Sequence, residues 1–471
     1  MVVGAAAERA GYEFGHMTIG QCIRLAAQLD MRVGDVILGE TTEFSGKSRE
    51  EVIREMERAF EHNLRAAEIG LTSGHSSLLG EVGQDLNGGC ELVGDPFVDR
   101  VVACTLAAQV GNHTIGLQPC AGTGDSCPYT GFVKAVQEFY PEDVDRKARI
   151  MAVILKIGGM YRIGKCTTGC NMEGIGAGAC AAAAAFVELA GGTPEQMETA
   201  MVLAISPTIA VPCTPRVLVP GLCATHIGGG VLIARLASQL AMHTTIPSTV
   251  PVDVMIAMAA QCHLASAEHV VPITIQYMEP FFKRDERVDA YVSDAVKADE
   301  LRRREEIIQR AGMESRRLAH RSNPITVPFG DAVVGGSSEG VGSPTNCGRL
   351  AHYMAKGRIQ KVRVELCPEL FARRAINIPG VLMAAVNGCS TSDAEGYRTI
   401  MEEVRDRGIQ VEIVEVKEPH VQRVLIRASE QDSFVDTLNR AGARLVLLDA
   451  IPSRSEALEW AKKLNVVVID E

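Results

Sequence analysis

The sequence predicts a multi-domain protein, with an all-α domain over residues 1–320 followed by an α+β domain over residues 321–471. Three observations lead to this prediction. Amphipathic and alanine-rich helical patterns recur along the first two thirds of the chain, where strand patterns are nearly absent. Residues 283–321 then form a densely charged stretch, which is typical of a solvated helix face or a connector. After Pro324, short β-branched runs alternate with capped helical segments.

Start signals and apolar spacing locate the helices of the first domain. Ser48 and Glu51 form the pattern of a capping box, and apolar residues then recur every four positions from Val52 to Leu64. This spacing predicts a helix over about residues 49–69 with one apolar face. Further helices are predicted at 21–29, between Asp95 and Gln109, at 142–160, across the alanines at 181–185, from a cap at Thr193 and after Gly230.

The second domain combines strands with helices. Strands are predicted at residues 362–366, 411–416, 421–426, 445–448 and 466–469. The expected helix starts are Ser392 with Glu395 and Ser453 with Glu456, and the expected helix stops are Gly408 and Gly442.

Length and charge narrow the class of protein. A chain of 471 residues with 46% hydrophobic content can bury a sizeable core. Its net charge of −11 argues against nucleic-acid binding, which needs a basic face. The apolar stretches at 231–242 and 252–260 are too short to span a bilayer. With no signal-peptide pattern visible, we expect a cytoplasmic protein that binds neither nucleic acid nor membrane.

The fourteen cysteines do not look like a disulfide scaffold in a chain this long, and five of them lie between Lys165 and Gly230. Cys170 follows a glycine and precedes a glycine-rich turn, while Cys213 and Cys223 flank a proline-rich loop. Thiolates on constrained loops are typical iron–sulfur ligands. Zinc is less favoured because close C-x2-C pairs are absent from this stretch. The alternative is that each cysteine is a small buried core residue.

These residues carry a resemblance to a known family. The run that starts at Gly169 reads Gly-Cys-Asn-Met-Glu-Gly-Ile-Gly, then an alanine-rich helix up to Gly192, with Gly-Gly-Thr-Pro-Glu-Gln over residues 191–196. It resembles the alpha domain of iron–sulfur-dependent L-serine dehydratases, which has Gly-Cys-x-x-Glu, a small-residue helix and Gly-Gly-Ser-Pro-Glu-Gln. The family places two more cysteines on a proline-containing loop. The resemblance therefore implies that Cys170, Cys213 and Cys223 hold a 4Fe-4S cluster, whereas Cys166 and Cys180 have no counterpart.

Two further loops resemble parts of the same alpha domain. Residues 70–77 are similar to its Ser-Gly-Leu loop, which makes Ser73, His75 and Ser76 candidates for substrate binding; a plain turn is the alternative. Residues 119–126 are similar to its Ala-Pro-Thr-Ala-Gly stretch, with Thr123 as a substrate-binding candidate. This second loop is not a P-loop, because Gly-Lys-Ser/Thr is missing, and it departs from the family by supplying Cys120 and Cys127.

The second domain resembles the serine dehydratase beta domain, which in the family binds the amino-acid substrate or an allosteric copy of it. Ser337, Ser338 and Arg349 match its Gly-Pro-Ser-Ser-Ser-His-Thr loop and the Gly-Arg that follows. Residues 339–341 are Glu-Gly-Val where the family has Ser-His-Thr, and residues 207–208 are Pro-Thr where it has His-Asn. These departures argue against serine itself as the substrate.

The resemblance implies a β-eliminating lyase, a dehydratase or deaminase related to the L-cysteine desulfidases. Its small-molecule substrate would be a hydroxy or thiol amino acid. The candidates for the catalytic base are His75, His113 and His226, which are expected in glycine-containing loops. Arg349 or Lys165 is expected to bind the substrate carboxylate, with arginine the better bidentate partner. A homodimer is expected for a soluble enzyme of this size.

Two other classes of function remain open from the sequence. An iron–sulfur redox carrier or sensor would complete the cluster with a fourth cysteine, and the candidates are Cys120, Cys127, Cys166, Cys347, Cys367 and Cys389. The other class is an amino-acid-binding regulatory protein without metal or catalysis, in which the cysteines are core residues.

Overall fold

A computed structural model describes the chain over residues 2–77, 79–89, 91–115, 127–163, 176–209, 222–248, 250–278, 281, 286–321, 338–389, 393–441 and 444–469. The chain packs into two compact units, residues 1–311 and 312–471. The division falls within one long charged helix, which ends at Arg321.

The first unit is helical. Its helices are α1 (Val2–Arg9), α2 (Ile19–Leu29), α3 (Val33–Ser45), α4 (Arg49–Thr72), α5 (Val82–Asn87), α6 (Pro96–Ile115), α7 (Cys127–Phe139), α8 (Val144–Ile163), α9 (Gly178–Ala190), α10 (Pro194–Ile205), α11 (Ile227–His243), α12 (Val252–Met278), α13 (Glu286–Asp289) and α14 (Asp294–Arg321), which crosses into the second unit. Among the described residues of this unit no strand forms, and the prediction of an all-α domain is confirmed.

The predicted capping boxes of α4 and α10 are confirmed. The Ser48 side chain accepts from the backbone N–H of Glu51 and the Glu51 side chain accepts from that of Ser48, and Thr193 with Gln196 form the same reciprocal pair. These bonds satisfy N–H groups that have no partner within a first helical turn. They fix where each helix begins.

Glycines bring α4 and α6 into backbone contact. A Cβ on Gly70 of α4 would lie 1.8 Å from the carbonyl oxygen of Ala107 on α6. A Cβ on Gly111 of α6 would lie 1.8 Å from the carbonyl oxygen of Ala66 on α4. Neither position has room for a side chain, so the two helices touch through their main chains. Helix α6 continues beyond Gln109, where the sequence predicted its end, to Ile115.

Helices α9, α10 and α11 form a packed group. Gly192, just after α9, lies against Met242 near the end of α11, and Gln196 at the start of α10 donates to the Met242 carbonyl oxygen at 3.4 Å. The ends of α9 and α11 therefore lie together. Arg235, earlier in α11, lies over the ring of Phe186, earlier in α9, at 5.4 Å from its centroid, so the two helices run parallel. Their N-termini accordingly point toward the same end of the group.

The second unit combines one sheet with helices. Its elements are α15 (Ser338–Met354), β1 (Ile359–Leu366), α16 (Pro368–Ala372), α17 (Arg374–Asn387), α18 (Ala394–Asp406), β2 (Gln410–Glu415), β3 (Val421–Ala428), β4 (Ser433–Ala441), β5 (Arg444–Ile451) and α19 (Arg454–Lys463). The strand order is β2-β1-β3-β4-β5, with β1 and β2 parallel and the other pairs antiparallel. The prediction of an α+β domain is confirmed.

Three local predictions in this unit are wrong. The segment before Gly442 is strand β4 instead of a helix; its polar Asp436 had hidden the strand pattern, but Arg423 directly opposite on β3 donates to it at 3.0 Å. Residues 466–469 form only an isolated bridge, between Val468 and Leu445. Helix α18 is capped by Asp393, one residue after the expected Ser392.

Within the described ranges, no helix is long and apolar enough to cross a membrane.

Substituting Gly111 by alanine tests the contact between α4 and α6. The new methyl group would collide with the Ala66 carbonyl, so we expect a loss of about 1–3 kcal/mol in the free energy of unfolding. Gly159→Ala on α8 is the matched control, because its Cβ would meet nothing within 4 Å. Alanine there should stabilise the helix by up to about 1 kcal/mol. Equal effects of the two substitutions in urea denaturation would contradict the contact.

Candidate active site

The loop after α4 is attached to the end of α6. Ser73 ends α4 and is exposed, and the chain then reverses through a bridge between Ser76 and Gly80. The Thr114 hydroxyl on α6 accepts from the His75 N–H and is also 2.9 Å from the His75 carbonyl oxygen. These contacts fix the loop beside the last turn of α6.

Four side chains form a hydrogen-bonded row, which we name the polar chain: Ser76, His113, Gln109 and Cys127. The Ser76 hydroxyl oxygen lies 2.6 Å from Nδ1 of His113, and Nε2 of His113 lies 2.8 Å from the Gln109 amide nitrogen. Sγ of Cys127 lies 2.9 Å from Oε1 of Gln109. Ser76, Gln109 and Cys127 are buried and His113 is half-buried, so the row is largely shielded from water.

The polar chain ends against the start of α11. Cys127 packs with Ala67, Ala108 and Ile227 in a small apolar cluster, and Ile227 is the first residue of α11. A π-helical turn, Leu222–His226, precedes it and contains Cys223. π-Helical turns are frequent at functional sites, because the extra residue redirects the backbone. The polar chain therefore connects the substrate-loop candidates to the segment that carries one of the three predicted cluster ligands.

A similar turn precedes α9. Gly176 and Ala177 have π-helical geometry and lead directly into α9 at Gly178. The parallel helices α9 and α11 thus begin at the same end of the group, each directly after a stretch of chain with predicted cluster cysteines. Backbone N–H groups at the two helix starts favour a negatively charged group at that end.

The three candidate histidines differ in their surroundings. His113 lies within α6 and His226 at the end of the π-helical turn, so the prediction that both lie in loops is wrong. Burial lowers the pKa of both imidazoles below the ordinary 6.5, which makes them neutral at pH 7. His75 does lie in a loop, with a side chain 67% exposed and its Nδ1 3.8 Å from a Glu81 carboxylate oxygen.

Several predicted site residues lie outside the described residues. They are Cys170, Cys213, Thr123, Ser337, Cys120, Cys166 and Lys165. The backbone of Cys223 and Ser338 is described but their side chains are not. In the parts that are described, no group of three or more His, Cys, Asp or Glu side chains could hold a metal ion.

The remaining candidates belong to the second unit. Arg349 on α15 is buried and donates to Asn346 at 3.3 Å. Cys367 is buried. Burial raises the pKa of Cys347 to about 12 and that of Cys389 to about 11, so both are protonated thiols at pH 7. A cluster ligand must be a thiolate, and these environments do not favour one.

Other buried cysteines are protonated for the same reason. Burial raises the pKa of Cys22 on α2 and of Cys104 on α6 to about 12. Cys180 on α9, fully buried, has a pKa well above the usual thiol range. These three thiols are core residues, which agrees with the absence of a family counterpart for Cys180.

Sequence reasoning missed Gln109, whose amide joins His113 to Cys127. The available signal was its spacing, because residues four apart on a helix lie on one face and Gln109 is four residues before His113. Because the predicted helix ended at Gln109, His113 was placed in a loop and the helical spacing of the two residues was not considered.

Comparison with known proteins gives two matches. A profile of the family described as "Serine dehydratase alpha chain" matches residues 28–270, more than half of the chain. The protein named "Probable L-serine dehydratase, alpha chain" from Bacillus subtilis (strain 168) is 26% identical over 255 residues, which cover 50% of this chain and 82% of the relative. The profile match includes the polar chain and all three predicted cluster cysteines.

The lowered pKa of His113 predicts how stability depends on pH. The unfolded chain takes up a proton at this side chain near pH 6.5, and the folded chain only at lower pH. The stabilisation is therefore present above pH 6.5 and is lost as the pH falls toward the folded-state pKa. The free energy of unfolding should fall between about pH 7 and pH 5, and fall less in His113→Gln than in wild type.

His75→Gln is the control for this measurement, because the exposed His75 side chain should leave the pH profile unchanged. Urea denaturation of the three proteins at both pH values decides the question. An equal fall in wild type and His113→Gln would contradict the prediction.

Proposed function

Because the chain belongs to the serine dehydratase alpha-chain family, a family of dehydratase-type lyases, we propose that it is a 4Fe-4S-dependent β-eliminating lyase. In this proposal the substrate is a small hydroxy or thiol amino acid, similar to serine but different from it. The products are a keto acid and ammonia, or a keto acid, ammonia and sulfide from a thiol substrate.

One observation carries the proposal: the family match covers Cys170, Cys213 and Cys223 together with the polar chain, all within one compact helical unit. The described helices are compatible with a cluster at this end. Helices α9 and α11 start side by side, and their N-terminal amides would stabilise the negative charge of a thiolate-bound cluster. Cys170, Cys213 and Cys223 would be the ligands.

A cluster held by three thiolates supplies one iron without a protein ligand, which can act as a Lewis acid on the β-hydroxyl or β-thiol of the substrate. The chain's own residues have to handle the protons. Loss of the α-proton and of the β-group gives an enamine, which tautomerises to an imine and hydrolyses to the keto acid and ammonia.

We assign removal of the α-proton to His226. Its imidazole is neutral at pH 7, and it makes no hydrogen bond within the part of the chain that the structure describes, so a ring nitrogen is available to accept a proton. It lies three residues after Cys223, in the same π-helical turn. Both ring nitrogens of His113, in contrast, are already hydrogen-bonded. The side chain of His75 is 67% exposed, so it is not shielded from water.

The first test of the function is purification under nitrogen followed by spectroscopy and assay. We expect a brown protein whose absorbance changes on adding substrate, and keto-acid formation from at least one of L-serine, L-threonine, L-cysteine and hydroxy diacids. Each single substitution of Cys170, Cys213 or Cys223 by alanine should abolish colour and activity, while Cys104→Ala, a buried core change, should retain both. A colourless, inactive wild-type protein would overturn the proposal.

The substrate panel also tests the departures at residues 207–208 and 339–341. Since these positions lack the family's His-Asn and Ser-His-Thr, kcat/KM for L-serine should be lower than for another member of the panel. A clear preference for L-serine would contradict this part of the proposal.

His226→Gln should lower kcat by about a hundredfold or more, because a general base contributes on that scale. The variant should retain the cluster absorbance. His75→Gln should keep near wild-type activity under the same conditions. An active His226→Gln protein would show that another residue accepts the α-proton.

A further inference from the structure

We propose that the last part of α12, residues 265–278, is the surface through which two copies of this chain associate about a two-fold axis. We name these residues the apolar segment. The proposal does not rest on the proposed lyase activity. The match to the serine dehydratase family ends within the apolar segment, at residue 270, so the family comparison does not imply this interface.

Helix α12 changes character along its length. In its first part Val252, Met255 and Ala259 are buried, so that part packs in the core of the first unit. From residue 265 onward, none of the side chains that the structure describes in this helix is buried. Large apolar side chains are exposed there, and they are Val270, Ile273, Ile275 and Tyr277. The apolar segment therefore presents to water the kind of side chain that the same helix buries earlier.

The composition of the apolar segment does not support an isolated helix. Residues 270–275 read Val-Val-Pro-Ile-Thr-Ile, which gives five β-branched residues and a proline inside the helix. These residue types are poor helix formers, and short helices are marginal in water even with good formers. Ile273 and Ile275 are two positions apart and so lie on different sides of the helix. A helix that is apolar on more than one side is typically covered by another surface.

Helix α14 is also exposed, but its composition is different. Arg302 forms ion pairs with Asp299 and Glu306, which are three and four residues away along the helix. Pairs of this kind support a helix that is surrounded by water. The apolar segment cannot form them, because Glu268 is its only Asp, Glu, Lys or Arg residue. Exposure to water therefore suits α14 and does not suit the apolar segment.

The partner that we assign to the apolar segment is a second copy of this chain. Each copy has a net charge of −11, so two copies repel each other unless they meet at a surface with little charge. The apolar segment is such a surface. Two-fold dimers are the commonest soluble oligomers, and in them the same patch of each copy meets itself. Two apolar segments packed on each other would cover the exposed side chains of both.

The charges near the two ends of the apolar segment fit a two-fold arrangement. Arg310 of α14 lies over the ring of Tyr277, 5.1 Å from its centroid, so a positive charge lies beside the last turn of the segment. Glu268 is exposed and places a negative charge in the first turn. A two-fold axis through the middle of the segment makes the two helices antiparallel. Glu268 of each copy then faces Arg310 of the other copy.

Sedimentation equilibrium of the full-length protein tests the association. We expect twice the mass of one chain, which is 50.5 kDa. Ile273→Glu would bury a charge without a partner in the interface, so the Kd of the dimer should rise by about a hundredfold or more.

Val254→Glu is the matched control for Ile273→Glu. Val254 lies on the same helix and is 52% exposed, compared with 58% for Ile273, but it is outside the apolar segment. The Val254→Glu protein should remain dimeric. A monomeric wild-type protein, or equal effects of the two substitutions, would overturn the proposal.

Exchanging charges tests the two-fold arrangement. Glu268→Arg and Arg310→Glu should each raise the Kd about a few-fold, because like charges at the surface would then face each other. An equimolar mixture of the two variants should associate as tightly as the wild type, since every facing pair in the mixed dimer is again opposite in sign. A mixture that associates no more tightly than the separate variants would contradict this arrangement.

Flotation with phosphatidylcholine vesicles distinguishes a second copy from a lipid surface. We expect the wild-type dimer to stay with the unbound protein. A monomeric wild-type protein that floats with the vesicles, and that loses this binding in Ile273→Glu, would assign the apolar segment to a membrane surface and overturn the proposal.

Discussion

The main-chain contact between α4 and α6 is the constraint on which the candidate site depends. With glycine at positions 70 and 111, each helix presses on a carbonyl of the other. The loop that follows α4 therefore lies beside the last turn of α6, where Thr114 and His113 form hydrogen bonds with it. Wider spacing between these helices would separate the Ser76 hydroxyl from the imidazole, and the polar chain would not form.

The proposed chemistry of this site depends on uncharged histidine side chains. A side chain that removes a proton from a substrate has to be unprotonated at neutral pH. Burial lowers the pKa of both His113 and His226, so the two imidazoles are uncharged at pH 7. The two histidines differ in their hydrogen bonds. His113 is engaged at both nitrogens, whereas His226, at the start of α11, is not engaged by any described side chain.

Local sequence signals predicted most of the fold. Capping boxes at Ser48 and Thr193 identified helix starts, because side chains there bind N–H groups of their own first turn. The failures involve distant partners. Strand β4 contains a buried Asp436 that is paired with Arg423 on the neighbouring strand. The part of α6 beyond Gln109 contains Gly111, which packs on α4. The cysteine pattern and the loop candidates could be identified from sequence motifs. The contact between Gln109 and Cys127 could not, because the two residues meet only in the folded chain.

The protonated thiols of the core have a consequence for handling the protein in air. Oxidation of cysteine proceeds through the thiolate, and Cys22, Cys104 and Cys347 reach that form only near pH 12. Oxygen should therefore attack the proposed iron–sulfur cluster while sparing the sulfur atoms that pack the interior. Damage of this kind leaves the polypeptide intact, so supplying ferrous iron, sulfide and a reductant would be a chemically reasonable route to recover an inactivated sample.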